Sequence, residues 1–323
     1  MSQSVDPSDW ESLDTWWTEY IGAETIVLRD ASVPVINDER LAQNWDDIDP
    51  WWEIYIETGN ETAVQLAEQL NRSNERWTNS GNPFDLDPLA ADLTGKLYSR
   101  GPLQPSDEVN WSRWLAQLLA PSGALVSKLF GLSVEHPPDE VIREDRLLKR
   151  DGGFRRPDIL VLYADFGISI EVKLDDEHYE KTAETARLVE QYYDGREWIH
   201  TILLPKSNID RLESNVEPAI TLGDDGQRQI EWSDPGPIEV KFWEDVTAGI
   251  RSVMLHDEIV DDHWAANAYL FCAVAEQQLM NFQPQSTIEQ MAAPNSVVDT
   301  VQPIRIAQTL EEQLIYFRES LRS

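Results

Sequence analysis

The pattern of hydrophobic and polar residues predicts a mixed helix and sheet core in the middle of the chain. Four strand-like segments are Glu140 to Leu148, Phe154 to Tyr163, Gly167 to Leu174 and Trp198 to Leu204. A helix that Ser106 can cap precedes them, and a second helix of roughly residues 176–193 separates the last two strands. The predicted order is therefore α-β-β-β-α-β, an α/β core.

The flanks of this core are expected to be mainly helical. Residues 1–95 contain helical patterns joined by acidic loops, and seven of the 13 Trp of the chain fall before residue 78. Residues 205–237 are polar and rich in Gly and Asp, which is typical of a loop, and helical spacing resumes at Trp243. We predict a helical N-terminal region of residues 1–95, a core of residues 96–240 and a helical C-terminal region of residues 241–323.

The chain is strongly acidic yet rich in large apolar residues. Among its 323 residues, 26 Lys and Arg oppose 59 Asp and Glu, a formal net charge of −33, while 41% of residues are hydrophobic. That much apolar side chain favours a folded protein over a disordered one. Only seven of the cations are Lys, and this composition is typical of a halophilic surface. At about 1 M salt the Debye length is roughly 3 Å, so the net charge does not exclude a nucleic-acid partner.

The cysteine count and the first residues bear on the cellular compartment. Cys272 is the only cysteine, which excludes intrachain disulfides and Cys-rich zinc sites. The first residues have no basic and apolar segments of the kind found in signal peptides, and no apolar stretch is long enough to span a membrane. We expect a cytoplasmic protein.

The candidate chemistry lies in the second and third strands. Along the third strand Ser169, Glu171 and Lys173 share one face and the opposite face is apolar, while the second strand is apolar on both faces except at Asp158. In a hairpin with a two-residue loop Asp158 lies opposite Glu171, and with a four-residue loop it lies opposite Lys173. Either register brings two carboxylates and an amine together, a set suited to Mg²⁺ and to phosphodiester hydrolysis.

These residues resemble the PD-(D/E)xK nuclease superfamily, with Pro157-Asp158 and Glu171-Val172-Lys173 as the motif. The resemblance implies a restriction-endonuclease-like core in which Asp158, Glu171 and the Val172 carbonyl bind Mg²⁺ or Mn²⁺ and Lys173 serves the attacking water. It also implies auxiliary roles for Glu108 on the first core helix and for an acid of the first strand. Glu144 and Asp145 both fit the latter position, and Glu144 is preferred.

The resemblance covers roughly residues 106–204. It implies a nuclease, with DNA as the favoured substrate and a role in defence or repair. One subgroup of the superfamily carries a Gln on the second helix, followed four residues later by a Tyr. This chain departs from that pattern, since Leu188 lies four residues before Tyr192. The alternative is an inactive module of the same fold that binds DNA, or a protein partner through the Trp-rich N-terminal helices.

Two further patterns leave alternatives open. Glu239-Val240-Lys241 repeats the tripeptide of the motif, so Asp158, Glu171 and Lys173 could also form an ordinary ion pair on a solvated strand face. Five cations lie within eleven residues next to the proposed metal site, and they suit either phosphate contacts or a solvated hairpin tip. These cations are Arg146, Lys149, Arg150, Arg155 and Arg156.

Overall fold

The computed structural model describes residues 48–78, 87–93, 107–174, 179–223, 227–292 and 303–320. The chain divides into two compact units, residues 1–58 and 59–323. Of the first unit only residues 48–58 are described, and they are helical. The predicted core and C-terminal region both fall within the second unit. The predicted partner surface formed by the Trp-rich N-terminal helices lies outside the side chains that the structure describes.

Nine α-helices are present in the described residues. They are α1 (Ile48–Thr78), α2 (Glu108–Leu119), α3 (Gly123–Phe130), α4 (Glu180–Tyr192), α5 (Ile209–Asn215), α6 (Trp243–Leu255), α7 (Asp262–Gln278), α8 (Gln285–Ala292) and α9 (Pro303–Ser320). Short 3₁₀ helices cover Pro88–Ala90 and Lys206–Asn208. The described part of the N-terminal region thus includes a helix of 31 residues, as the helical patterns there predicted.

Nine strands form two sheets in the described part of the chain. They are β1 (Glu140–Arg143), β2 (Leu147–Leu148), β3 (Phe154–Arg155), β4 (Ile159–Leu162), β5 (Phe166–Val172), β6 (Glu197–Leu204), β7 (Ile220–Leu222), β8 (Arg228–Glu231) and β9 (Pro237–Phe242). The larger sheet has the order β1-β4-β5-β6-β9-β8-β7. Its centre, β5-β6-β9, is parallel and its outer pairs are antiparallel, so the protein has an α/β fold with a mixed sheet.

Three details of the predicted elements are wrong. The first two strands are each interrupted, because the chain leaves the main sheet at Glu144, where φ is +52°, and returns at Ile159. The detour forms the small antiparallel sheet β2-β3. The expected loop of residues 205–237 contains α5, β7 and β8, whose few residues give too short a pattern to detect. The cap of α2 is Asp107, whose carboxylate accepts from the Asn110 N–H at 3.3 Å.

The two faces of the main sheet have different coverings. Strands alternate, so Ile159, Val161 and Val172 face a cluster formed with helices that include α2, α3, α6 and α7. On the opposite face, apolar side chains of β4, β6 and β9 pack in two clusters that include residues of α4. The β5 side chains Ser169 and Glu171 lie on this α4 face, because Ser169 pairs with Leu160 and Glu171 pairs with Ile202.

The C-terminal helices share their hydrophobic core with the sheet. Trp111 of α2 lies 5.4 Å from Trp243 of α6 and 5.7 Å from Phe271 of α7, measured between ring centroids. Close aromatic pairs of this kind add stabilisation beyond the area that they bury. The predicted boundary at residue 240 therefore falls inside a continuous core.

A buried ion cluster joins three helices and a loop within this core. The Arg251 guanidinium of α6 donates to Glu276 of α7 at 2.6 Å and to Asp87 at 2.8 Å, and all three side chains have 0% exposure. The Tyr316 hydroxyl of α9 donates to Glu276 at 2.9 Å. Burying these charges is tolerable only because each one is paired and hydrogen-bonded.

The buried ring of His200 should make the free energy of unfolding fall in acid. Its ring is buried on the α4 face and stacks on Trp198, and burial lowers its pKa to about 4. An unfolded His titrates near 6.5, so its contribution is complete above that pH and is lost as pH falls toward 4. Between pH 7.5 and pH 4.5, the free energy of unfolding of wild type should fall by about 2 kcal/mol more than that of His200→Phe. Urea unfolding at both pH values measures this, and equal pH dependence in the two proteins would contradict it.

Within the residues that the structure describes, no helix is long and apolar enough to cross a membrane.

Candidate functional site

The β4-β5 hairpin brings the predicted acids together. Leu162 pairs with Gly167 and Ile159 with Ile170, and the Tyr163 N–H donates to the Phe166 carbonyl at 3.0 Å. The loop therefore has two residues, so the two-residue register is confirmed and the four-residue alternative is wrong. Continuing this register by one residue places Asp158 opposite Glu171, on the α4 face of the sheet.

Backbone and side-chain contacts hold the three motif residues at the end of β5. The Val172 N–H donates to Asp158 Oδ2 at 2.8 Å, and Lys173 Nζ lies 3.3 Å from Glu171 Oε1. The side chains of Lys173 and Glu171 are only 6% and 13% exposed. An ion pair buried to this extent is not the solvated surface pair of the alternative interpretation.

Glu108 reaches the same site from helix α2. It is the first residue of the helix, directly after the cap Asp107, and Glu108 Oε1 accepts from the Leu174 N–H at 2.7 Å. A carboxylate in the first turn is also favoured by the helix dipole. The structure thus brings Glu108 beside the end of β5, where the sequence predicted it.

The electrostatics of Asp158 indicate a crowded acidic pocket. Burial, followed by the charge of Glu171, raises the pKa of Asp158 to about 8, and Glu108 contributes in the same direction. The Val172 N–H and Lys173 act the other way but do not outweigh burial. A cation between these carboxylates would relieve their repulsion and favour the ionised form of Asp158.

The donor set fits a hard divalent cation. Asp158 and Glu171 supply carboxylate oxygens, and the Val172 carbonyl is directed to the same side of β5 as the N–H that binds Asp158. Mg²⁺ commonly uses one or two carboxylates and keeps several waters, so a closed protein cage is not required. Within the described ranges, no three His, Cys, Asp or Glu side chains are grouped closely enough to hold a metal by themselves.

The acids predicted for the first strand lie just beyond its end. The Glu144 N–H donates to the Pro157 carbonyl at 3.1 Å, which places its backbone beside Asp158, but its carboxylate is 3.7 Å from the Arg143 guanidinium. Asp145 accepts from the Tyr193 hydroxyl at 2.6 Å. The contact with Arg143 does not direct Glu144 toward Glu171, and its role as a metal ligand stays a prediction.

The second Glu-Val-Lys tripeptide lies on the other side of the sheet. Lys241 Nζ is 3.3 Å from Glu239 Oε2, the same separation as in the first copy. Glu171, Ile202 and Val240 occupy adjacent register positions, so Glu239 and Lys241 face away from the α4 side. Lys241 Nζ instead lies 5.7 Å from the centre of the Phe130 ring on α3. The two copies therefore differ in surroundings and not in their local pairing.

The predicted basic cluster occupies the β2-β3 hairpin and divides into two groups. Lys149 Nζ lies 2.7 Å from Glu184 Oε1, and Arg155 Nε donates to Glu184 Oε2 at 2.7 Å. The hydrogen bond from Lys149, with help from Arg155, lowers the pKa of Glu184. Arg146, Arg150 and Arg156 are exposed. Sequence reasoning missed Glu184, because one acid on a helix rich in acids carries no distinguishing signal.

Comparisons of the chain with protein-family models, with curated proteins and with solved structures find no match.

Proposed function

We propose that this protein is a Mg²⁺-dependent nuclease with a restriction-endonuclease-like core that hydrolyses phosphodiester bonds of DNA. The observation that supports it most is the shared pocket of Asp158, Glu171 and Lys173 at the end of β5. Two carboxylates and an ammonium group, largely buried on one sheet face, are costly unless a ligand offsets their desolvation. A cation with a phosphate group is a ligand of the right charge.

Each residue has a defined role in the proposal. Asp158 and Glu171 bind the cation with the Val172 carbonyl, and Glu108 adds negative charge from α2 while fixing the backbone at Leu174. When bound, the cation lowers the pKa of a coordinated water and neutralises charge on the phosphate. Lys173, held by Glu171, donates a hydrogen bond that orients the attacking water and stabilises charge that develops on the phosphoryl oxygens.

Cleavage of DNA tests the activity directly. Plasmid DNA and linear DNA, both single- and double-stranded, are incubated with the protein at high salt with Mg²⁺ or Mn²⁺, and the products are resolved on gels. We expect cleavage by wild type and none by Asp158→Asn, which keeps the acceptor for the Val172 N–H but removes the charge. Absence of cleavage by folded wild type across salts and metals would overturn the proposal and favour the inactive binding module.

Metal binding is expected to stabilise the protein through the same carboxylates. Mg²⁺ or Mn²⁺ at 100 times its dissociation constant should add about 2.7 kcal/mol to the free energy of unfolding of wild type. Thermal unfolding with and without the metal, after EDTA treatment, measures the difference. Asp158→Asn should lose most of the metal-dependent shift, whereas Glu239→Gln, in the second tripeptide, should retain it. Equal shifts in all three proteins would place the metal elsewhere.

A further inference from the structure

The β2-β3 hairpin has two chemically different faces. Because side chains alternate along a strand, Leu147, Lys149 and Arg155 share the face toward α4, which we call the inner face. Leu148 and its cross-strand partner Phe154 lie on the outer face, and by the same alternation so do Arg146 and Arg156. The five cations that form one cluster in the sequence are therefore not equivalent.

The inner face fixes the hairpin to helix α4. Leu147 is fully buried, and Glu184 of α4 binds both Lys149 and Arg155. The Tyr192 hydroxyl, also on α4, accepts from the Leu148 N–H at 2.9 Å and donates to the Leu148 carbonyl at 3.0 Å. The charges of Lys149 and Arg155 are therefore paired with Glu184, and the contacts with α4 fix the orientation of the outer face.

The outer face combines positive charge with exposed apolar surface. The Arg146 guanidinium lies over the Phe154 ring at 4.4 Å from its centre, and that of Arg156 lies at 5.6 Å. Phe154 is 40% exposed and Leu148 is 54% exposed. Among the described residues no carboxylate pairs with Arg146, Arg150 or Arg156. In a chain of net charge −33, two arginines over an exposed aromatic ring and a third exposed arginine nearby in sequence, none paired with a described carboxylate, form a surface suited to an anionic ligand with an apolar part.

We propose that this outer face binds single-stranded nucleic acid, with the arginines on phosphates and a base stacked against the Phe154 and Arg146 pair. Unpaired bases stack on aromatic rings and on guanidinium planes, whereas the bases of a duplex are already stacked and offer mainly phosphates. Arg156 lies two residues before Asp158, so the outer face and the carboxylate pocket are adjacent along the chain. That this bound strand is the substrate rests on the proposed function, whereas the binding itself requires no catalysis.

Fluorescence anisotropy in EDTA tests the binding with labelled oligonucleotides, one single-stranded and one a blunt duplex of the same sequence. Wild type should bind the single strand more tightly. Phe154→Ser should weaken this binding by about 5- to 100-fold and affect duplex binding less. Each of Arg146→Gln and Arg156→Gln should reduce the slope of log affinity against log salt by about 0.7. Lys149→Gln removes the same charge from the inner face and should leave that slope at the wild-type value.

The outcomes separate this inference from the nuclease proposal. Preference for the duplex, or equal salt slopes in all three charge variants, would overturn it even if the protein cleaves DNA. Retained single-strand binding that depends on Phe154, without any cleavage, would support it and overturn the catalytic proposal instead. Circular dichroism of each variant confirms that the hairpin substitutions leave the fold intact. Loss of binding accompanied by a changed spectrum is checked with Phe154→Leu, which keeps the apolar contact and should still lose affinity because it cannot stack.

Discussion

Replacing Lys173 by methionine should reduce the rate of DNA cleavage by about 100- to 10,000-fold while leaving the protein folded. Methionine keeps most of the length and apolar character of the lysine stem but removes the ammonium that lies 3.3 Å from Glu171. The loss should appear in the maximal rate more than in substrate affinity, because the proposed role of the ammonium is to act on the attacking water and on developing charge.

The chain provides a matched control for this experiment. Lys241→Met makes the same substitution at a lysine of equal exposure, 5% for each residue, that pairs with a glutamate two positions earlier. Because it faces the opposite side of the sheet, it should cleave at close to the wild-type rate. Quantified nicking of plasmid at saturating DNA compares the three proteins. Equal loss in both variants would mean that the lysines matter for folding alone, and the role of Lys173 would be withdrawn.

Replacing Arg251 by methionine should produce the largest loss of stability of any single substitution considered for this protein, about 3 to 5 kcal/mol. The change leaves the carboxylates of Asp87 and Glu276 fully buried without the guanidinium that binds both. Domains of this kind are stable by only about 5 to 15 kcal/mol, so the variant should unfold at far lower urea concentration.

An exposed arginine and a compensated variant complete this test. Arg187, 3.6 Å from Asp234, is 42% exposed, and Arg187→Met should cost less than about 1 kcal/mol. Adding Asp87→Asn and Glu276→Gln to Arg251→Met removes the stranded charges and should recover part of the loss. If Arg251→Met proved no worse than Arg187→Met, the cluster would contribute little to stability.

The sequence predicted the elements whose residues carry regular patterns. Strand β5 alternates between a polar and an apolar face, and Glu108 lies three residues before Trp111, at helical spacing on the first core helix. These are local regularities, and the structure preserves them because one face of each element is buried. The proximity of Asp158, Glu171 and Lys173 was therefore predictable from the sequence.

Features that depend on contacts distant in sequence were not predictable. Whether Lys149 and Arg155 are free to bind phosphate or are paired with Glu184 is decided by how the hairpin packs on α4. Glu184 lies 29 residues from Arg155 along the chain. The positive φ of Glu144, which diverts the chain from the main sheet, leaves no mark in the residue types. The partners of Arg251 lie 25 and 164 residues away, beyond the range of any periodic pattern.

The packing of Trp111 against Trp243 and Phe271 has a consequence for how this protein can change during evolution. Trp111 precedes the strands that carry the pocket and Trp243 and Phe271 follow them, so the helices that pack together behind these strands are encoded on both sides of them. A recombination event between them would separate two halves of one interior. Gene shuffling can therefore exchange these helices and strands only together, along with the segment of Asp87 that binds Arg251.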